Sequence, residues 1–327
     1  LSGTPGAAYV VAAFASNRCA SLKAKGLLTA TTTASQADEA LQKLREYGWE
    51  TESDVLHASL AAFEVASAVS VTFANSLSRS SVKDNLCGYS FASTDANGAV
   101  NLLPAASLAQ MFATGNGVPP ASGVQLINNN NPTGPIRDLF SVSASTNLAD
   151  LNVDGALCLR NLIAGADPTA LRLQAGVNET RRTGNLRGKP AIIVHGRADA
   201  LLPVNHTSRP YYALNKLAEG SSSKLSYIEV TNAQHFDTFI GLPSILPGYD
   251  SRYIPLHVYL NRALDAVYEH LKNEKALPAS QIVRTIARGG NPGAAPAITS
   301  ANVPPILTVP ASNNQISFSA NTITIPD

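Results

Sequence analysis

The sequence predicts a doubly wound α/β fold in residues 186–275, preceded by a large, mainly helical region. Residues 191–194 form a short β-branched run, which is typical of a buried parallel strand. Residues 225–230 are β-rich and partly alternating, so they predict the next strand. Between these runs, Thr207 and Ser208 can cap a helix. Two strands joined by one helix indicate a unit of a parallel sheet.

A final helix of this region is predicted from about residue 255 to residue 271. Its apolar residues recur at helical spacing, which predicts that they share one face of the helix. That face consists of Leu256, Tyr259, Leu260, Ala263, Val267 and Leu271. Strand, helix, strand and helix within about 90 residues are typical of a doubly wound sheet.

Residues 1–185 are mostly helical in pattern. Ser35 and Asp38 have the spacing of a capping box at the start of one helix. A second helix is predicted over residues 53–67, and a long loop is expected over residues 115–135, which are rich in Gly, Pro and Asn.

Residues 276–327 are rich in Pro, Ala and Asn, and we expect an extended tail that packs on the core. Their strand-like run covers residues 316–325. The predicted organisation is therefore a helical region in residues 1–185, part of an α/β core in residues 186–275, and the tail.

Charged residues make up 14% of the chain and the net charge is +1, so no strong field would attract nucleic acid or an anionic membrane. The longest nearly continuous apolar run, Ala7 to Ala15, is shorter than the ~20 residues that a membrane-spanning helix needs. The chain opens on Leu1 without Met and without a basic segment, which favours a start further upstream.

Three cysteines are present, and no two lie close together in sequence. Cys19, Cys87 and Cys158 therefore do not indicate a metal site of the CxxC type. The number allows one disulfide within the chain, with the odd thiol pairing elsewhere, and it equally allows three buried free thiols.

The polar residues that carry chemistry follow the two predicted strands. Asp199 lies in the segment that follows the first strand, and His235 lies in the segment that follows the second. Because the carboxyl ends of parallel strands meet at one edge of the sheet, we expect both side chains at that edge. An imidazole supported by a carboxylate can take a proton from a serine hydroxyl and return it to a leaving alcohol.

The order Asp then His is that of α/β-hydrolases, in which the serine precedes both residues. His206 is the rival base, and Asp237 is the rival acid. His195 ends the first strand, where we expect it to bond to backbone. Isolated residues of either type would be interpreted as a turn aspartate and a surface histidine, whereas their joint placement favours the catalytic interpretation.

The nucleophile is not evident. The sequence contains no G-x-S-x-G pentapeptide, the usual elbow of such a serine. The nearest match surrounds Ser90, but it lacks the final glycine and follows no hydrophobic strand. We therefore expect the serine on a missing or separate upstream segment, with Ser90 as a weak candidate.

Asp150, Asn152 and Asp154 have the spacing that begins a calcium-binding loop. The twelfth position of that loop is Asn161 instead of the glutamate that closes it. A turn rich in Asp and Asn before a helix explains these residues better than a metal site does.

Five long segments resemble the carboxyl-terminal half of the bacterial D-(-)-3-hydroxybutyrate oligomer hydrolases. They cover residues 150–161, 183–190, 195–210, 230–237 and 246–253, and the resemblance extends over nearly the whole chain. It implies a secreted or periplasmic esterase that cleaves short 3-hydroxybutyrate oligomers, released from polyhydroxybutyrate, into monomers.

The resemblance also implies an α/β-hydrolase core whose serine lies in the amino-terminal half. Residues 1–185 would then be a cap inserted before the acid strand, and Asp199 and His235 would be the acid and the base. No cofactor is implied, and the expected partners are the ester oligomers and the amino-terminal half itself. The alternatives are a broader carboxylesterase or polyesterase, and a non-catalytic half that completes a site with a partner polypeptide.

Overall fold

The structure is a computed structural model that describes residues 5–102, 104–106, 109 and 124–327. The chain is a mixed α/β protein that divides into two compact units. The antiparallel-sheet unit comprises residues 10–43 and 60–181. The parallel-sheet unit comprises residues 1–9, 44–59 and 182–327.

Helices dominate the chain as far as residue 181. They are α1 to α6, at Ala12–Ala24, Thr33–Glu46, Asp54–Ala62, Val65–Ser78, Val153–Ala164 and Pro168–Glu179. The predicted helix over residues 53–67 is divided in two, because Glu64 adopts a left-handed conformation with φ 55° between α3 and α4. At the start of α2, the reciprocal capping bonds join Thr32 and Ser35 instead of Ser35 and Asp38.

The antiparallel-sheet unit contains a sheet with the order β2-β1-β3-β4. Its strands are Tyr89–Thr94, Val100–Asn101, Gln125–Asn128 and Ile136–Arg137 for β1 to β4. Strand β3 lies within the predicted long loop, of which residues 115–123 are outside the described residues. The Leu126 and Ile127 side chains are buried, which explains why the segment pairs with β1. A disulfide joins Cys87 to Cys158 of α5, whereas Cys19 is free.

The parallel-sheet unit contains the predicted strand–helix–strand motif. Strand β5 is Ala191–Gly196, α7 is Ser208–Glu219 and β6 is Leu225–Val230. Strands β5 and β6 are parallel, and Ala191 lies opposite Leu225 in their register. The two strands and the helix between them are therefore confirmed.

Helices cover both faces of this sheet. After β6 come α8 (Tyr249–Arg252) and α9 (His257–Asn273). Ile228 packs with Tyr259 of α9, whereas Tyr227 packs with Tyr212 of α7. Neighbouring residues of a strand point to opposite faces, so α7 and α9 lie on opposite sides of β6.

The predicted apolar face of α9 is only partly buried. Tyr259 and Ala263 are buried against the sheet, as expected. Leu260 and Leu271 are 52% and 67% exposed, so they do not share the buried side of Tyr259 and Ala263. The helix is apolar on more than one side, and the sequence pattern does not distinguish its faces.

The tail contributes a strand that the sequence did not indicate. Strand β7, Gln281–Val283, pairs in parallel with β6 and completes the sheet order β5-β6-β7. Three residues are too short a run for a pattern to be recognised. The strand-like run 316–325 forms a hairpin of β8 (Ser317–Ser319) and β9 (Thr322–Thr324).

Within the described ranges, no single helix combines the length and the hydropathy needed to cross a membrane, and only one bent pair of consecutive helices meets both conditions together.

Candidate active site

The structure brings Asp199 and His235 into contact at the carboxyl edge of the parallel sheet. Asp199 follows β5 and His235 follows β6, and these strands are neighbours. The Nδ1 atom of His235 lies 3.0 Å from Oδ2 of Asp199, which is hydrogen-bonding distance. The predicted contact is therefore present, and the chemical role of the pair stays a prediction.

Close packing of the two loops sets this contact. A Cβ atom on Gly196 would lie 2.4 Å from the carbonyl oxygen of Ala233, so only glycine allows this approach. The Ala198 N–H donates to the same carbonyl at 3.2 Å. The Ala200 N–H donates to the side-chain oxygen of Gln234 at 3.2 Å. These bonds tie the loop of the carboxylate to the loop of the imidazole.

Asp199 is a buried carboxylate with every acceptor position used. Its Oδ1 accepts from the backbone N–H groups of Leu201 (2.9 Å) and Leu202 (2.8 Å). Its Oδ2 faces both His195 (3.2 Å) and His235. Burial favours the neutral acid, but the bonds from the two histidines and from Leu202 outweigh it and hold the pKa of Asp199 at about 2. The group is therefore ionised at neutral pH.

His235 is half-buried, and the side chain retains access to solvent. The hydrogen bond that the imidazole donates to Asp199 raises the pKa of His235, and partial burial opposes that rise. The ring of Phe236 contacts its edge, with 4.5 Å between centroids. In the described part of the chain nothing bonds to Nε2, so this nitrogen is available to a substrate or a nucleophile.

A second histidine contacts the same carboxylate, and the sequence did not indicate it. The Nδ1 atom of His195 lies 2.6 Å from Oγ of Ser208, and its Nε2 faces Asp199. The expectation that His195 bonds to backbone was therefore wrong. The Ser208 hydroxyl also lies 2.9 Å from the hydroxyl of Tyr227. The Tyr227 hydroxyl in turn donates a hydrogen bond to the Glu229 carboxylate at 2.7 Å.

Glu229 ends this chain of polar groups within a cluster of buried charges. It accepts from Arg197 and from Arg209, whose nearest atoms are 2.5 and 2.7 Å from Oε1. Arg209 also pairs with Glu50. Burial alone would raise the pKa of Glu229, but the two guanidiniums lower it below its ordinary value.

The sequence carried a signal for these residues. Tyr227 and Glu229 lie two positions apart on β6, as His195 and Arg197 do at the end of β5. Residues at this spacing point to the same face of a sheet. Polar side chains repeated at period two within a strand predicted to be buried indicate a buried polar network, because such groups need partners.

The rival residues take other roles. The imidazole of His206 is exposed, and the two ring nitrogens that meet Asp199 belong to His195 and His235. The carboxylate of Asp237 accepts from the backbone N–H groups of Leu256 and His257 at 2.8 and 2.7 Å. Asp237 therefore caps the start of α9.

Ser90 lies in the antiparallel-sheet unit, on strand β1 opposite Ile127 of β3. Its Oγ accepts from the side-chain amide of Asn129 at 2.9 Å. The residue does not sit on a turn from a strand into a helix, so the geometry of a nucleophile elbow is absent at this position.

The three residues of the calcium-like motif bond to different protein groups. The Asp150 carboxylate accepts from three hydroxyls and a backbone N–H, including Ser143 at 2.5 Å. The Asn152 side chain caps α5 by accepting from Gly155, and Asp154 pairs with Lys25. Across the described ranges no cluster of three metal-binding side chains occurs. The motif is a turn before a helix.

Taken together, the chain is a mixed α/β protein whose parallel sheet is covered on both faces and carries a hydrogen-bonded aspartate–histidine pair at its carboxyl edge. The sequence model of the 3HB-oligomer hydrolase family matches residues 2–327. The chain therefore belongs to the 3HB-oligomer hydrolase family. No solved structure matches it at a significant level.

Three relatives illustrate the similarity, and each bears the name D-(-)-3-hydroxybutyrate oligomer hydrolase. The protein from Paracidovorax citrulli is 63% identical over 100% of this chain and 47% of its own length. The protein from Cupriavidus necator is 58% identical over 97% of this chain and 44% of its own length. A protein from Ralstonia pickettii is 58% identical over 95% of this chain and 42% of its own length. The chain thus spans less than half the length of these relatives.

Proposed function

We propose that this chain supplies the acid and the base of a serine-type esterase that hydrolyses 3-hydroxybutyrate oligomers to monomers. The observation that carries the proposal is the bond between His235 Nδ1 and Asp199 Oδ2, which leaves Nε2 accessible. The names of the relatives support the substrate class. We further propose an α/β-hydrolase core, which the two-sided helical cover of the parallel sheet supports.

The mechanism follows from the atoms of this pair. Asp199 accepts the Nδ1 hydrogen and so keeps Nε2 of His235 unprotonated. Nε2 removes the hydrogen of a serine hydroxyl while that oxygen attacks the ester carbonyl. The imidazolium then gives the proton to the leaving alcohol, and an acyl-enzyme remains. Water activated by the same nitrogen releases 3-hydroxybutyrate and restores the serine.

We infer that the serine belongs to the additional half that the longer relatives carry. Strand β5 supports this inference, since the described strands pair with only one of its edges. The Ala191 and Arg197 N–H groups point to β6, so by alternation those of Ile192, Val194 and Gly196 point to the opposite edge. Further strands that carry the serine would pair there.

The outer side of α9 supports the same inference. Four large apolar residues share this side and are between 52% and 67% exposed: Leu260, Leu264, Tyr268 and Leu271. An apolar stripe of this kind on a helix that packs against β5 indicates a surface covered by further chain. We call these four residues the α9 stripe.

We also propose a secreted or periplasmic location. The disulfide between Cys87 and Cys158 supports it, because such bonds persist in oxidising compartments and are rare in the cytosol.

The proposal is tested by replacing His235 in the active enzyme that contains this chain. His235→Ala removes the base and should lower kcat for 3-hydroxybutyrate dimer by several orders of magnitude, and Asp199→Asn should lower it about 10⁴-fold because the tautomer is lost. His206→Ala is the matched control and should retain turnover. Full activity of His235→Ala would remove His235 from the mechanism, and loss of activity in the control alone would make His206 the base.

A further inference from the structure

The polar chain from Asp199 to Glu229 contains one hydrogen fewer than its contacts require. Four contacts connect Asp199, His195, Ser208, Tyr227 and Glu229 in that order, at 3.2, 2.6, 2.9 and 2.7 Å. Each contact at hydrogen-bonding distance needs one hydrogen between its two atoms. A neutral imidazole and two hydroxyls supply three.

The carboxylates do not supply the fourth hydrogen. The pKa of Asp199 is about 2, so its contact with His195 has the hydrogen on the nitrogen. The pKa of Glu229 lies below its ordinary value, and burial raises that of Tyr227, so the phenol is the donor in their contact. Ser208 must then donate to Tyr227, which makes Ser208 an acceptor towards His195.

We propose that the fourth hydrogen is a proton on His195, whose ring is a buried imidazolium that donates to Asp199 and to Ser208 at once. The charges of the cluster give independent support. Three carboxylates, Glu50, Asp199 and Glu229, are connected with only two guanidiniums, Arg197 and Arg209. A cationic His195 brings the cluster to three charges of each sign, and buried charges are stable when they are paired.

Charged and titratable groups from several elements are connected to His195. His195 contacts Asp199 and Ser208, and through these two residues it is connected to the other titratable and charged groups of the network: Tyr227 and Glu229 on β6, Arg197 after β5, Arg209 on α7, His235 after β6, and Glu50. Apart from the two guanidiniums and His235, these groups are anionic or are hydrogen-bond acceptors. The surroundings therefore favour a positive ring.

His195 is a positioning residue for the proposed reaction. His195 and His235 both bond to Oδ2 of Asp199. The positive charge of His195 therefore makes this carboxylate a weaker partner for a second imidazolium. His235 consequently gives up its proton at a lower pH than it would beside an unshared carboxylate. This consequence rests on the proposed function, whereas the protonation of His195 does not.

The protonation is tested by NMR on the chain labelled with ¹⁵N-histidine. Wild-type His195, assigned by its loss in His195→Gln, should show hydrogens on both ring nitrogens at neutral pH. Tyr227→Phe removes two of the four contacts and one of the three hydrogens. Two hydrogens then serve the two remaining contacts, so the ring should carry a single hydrogen under the same conditions. Tyr212→Phe, a buried tyrosine packed against Tyr227, should leave the signals unchanged.

A neutral His195 ring in the wild type, or identical behaviour of wild type and Tyr227→Phe, overturns the proposal.

A second readout concerns His235. His195→Gln retains a donor near Asp199 without its charge, so the titration midpoint of His235 should rise by about one pH unit. An unmoved midpoint contradicts the positioning role. Neither measurement depends on turnover. A failure of the proposed esterase function would therefore appear only in the activity assays and would be distinguished from a failure of this proposal.

Discussion

At the scale of single residues, the site depends on one oxygen atom. Oδ2 of Asp199 meets two imidazoles, and Oδ1 is fixed by two backbone N–H groups. The sequence indicated Asp199 and His235 because each follows a recognisable strand. The polar repeat at the ends of β5 and β6 indicates that His195 belongs to a buried network, but it does not reveal which groups are the partners of His195. The partner Ser208 lies 13 residues away and is brought close only by the crossover into α7.

The pair predicts a specific dependence of activity on pH. His235 must be neutral to act as base, and its pKa is raised by the hydrogen bond that it donates to Asp199. The acid limb of kcat/KM should therefore have its midpoint above the ordinary imidazole value of about 6.5. A profile of kcat/KM against pH in the active enzyme measures it, and a midpoint below that value would contradict the assignment of His235.

The same two pKa shifts make the free energy of unfolding depend on pH, and the two dependences run in opposite directions. Asp199 has a depressed pKa of about 2, so its contribution is present above its unfolded pKa of about 3.9 and is lost as the pH falls through about 2. His235 has a raised pKa, so its contribution is present below about pH 6.5 and is lost as the pH rises through the folded value. Unfolding of Asp199→Asn at several pH values would separate the first contribution.

At the scale of elements, long periodic segments were predictable and short or paired ones were not. The strand over residues 225–230 and the helix that precedes it follow from β-branched composition and capping signals. Strand β7 has three residues and depends on its pairing with β6, which no local pattern records. The division between α3 and α4 depends on a left-handed Glu64 whose carboxylate is held by Arg137. Such features arise from tertiary contacts.

Gly196 provides a test of how β5 positions the site. Gly196→Ala places a Cβ atom against the carbonyl of Ala233, so we expect a loss of about 1–3 kcal/mol in the free energy of unfolding. Gly241→Ala is the control, since a Cβ atom there meets nothing within 4 Å. Denaturant unfolding of both variants measures the difference. Equal stabilities would show that the two loops can separate without cost.

At the scale of the whole molecule, composition gave no indication of charge-driven binding partners, and the resemblance identified the family. The division into two units was less accessible. Residues 44–59 belong with the parallel sheet although the helical region surrounds them in sequence. Bonds such as that from Ser53 Oγ to the Asp199 carbonyl, 3.2 Å long, connect this segment to the site loop. No local pattern predicts contacts between residues so far apart along the chain.

The proposed missing half can be tested by adding it. The chain alone should not hydrolyse 3-hydroxybutyrate dimer, and the part of the Paracidovorax citrulli relative that lies outside this chain should restore turnover. Leu264→Glu places a charge in the α9 stripe and should weaken the association about tenfold or more. Val309→Glu, at another exposed apolar position, is the control. Turnover by the chain alone would place the nucleophile within it.

In the described part of the chain, the edge of β5 that faces away from β6 has no strand partner, and this has a consequence for solubility. A row of backbone N–H and C=O groups without strand partners is a template for any other extended chain, including another molecule of the same protein. Ile192 and Val194 provide the apolar, β-branched side chains that favour such stacking. Strands that complete the sheet would therefore protect the protein against aggregation as well as carry its nucleophile.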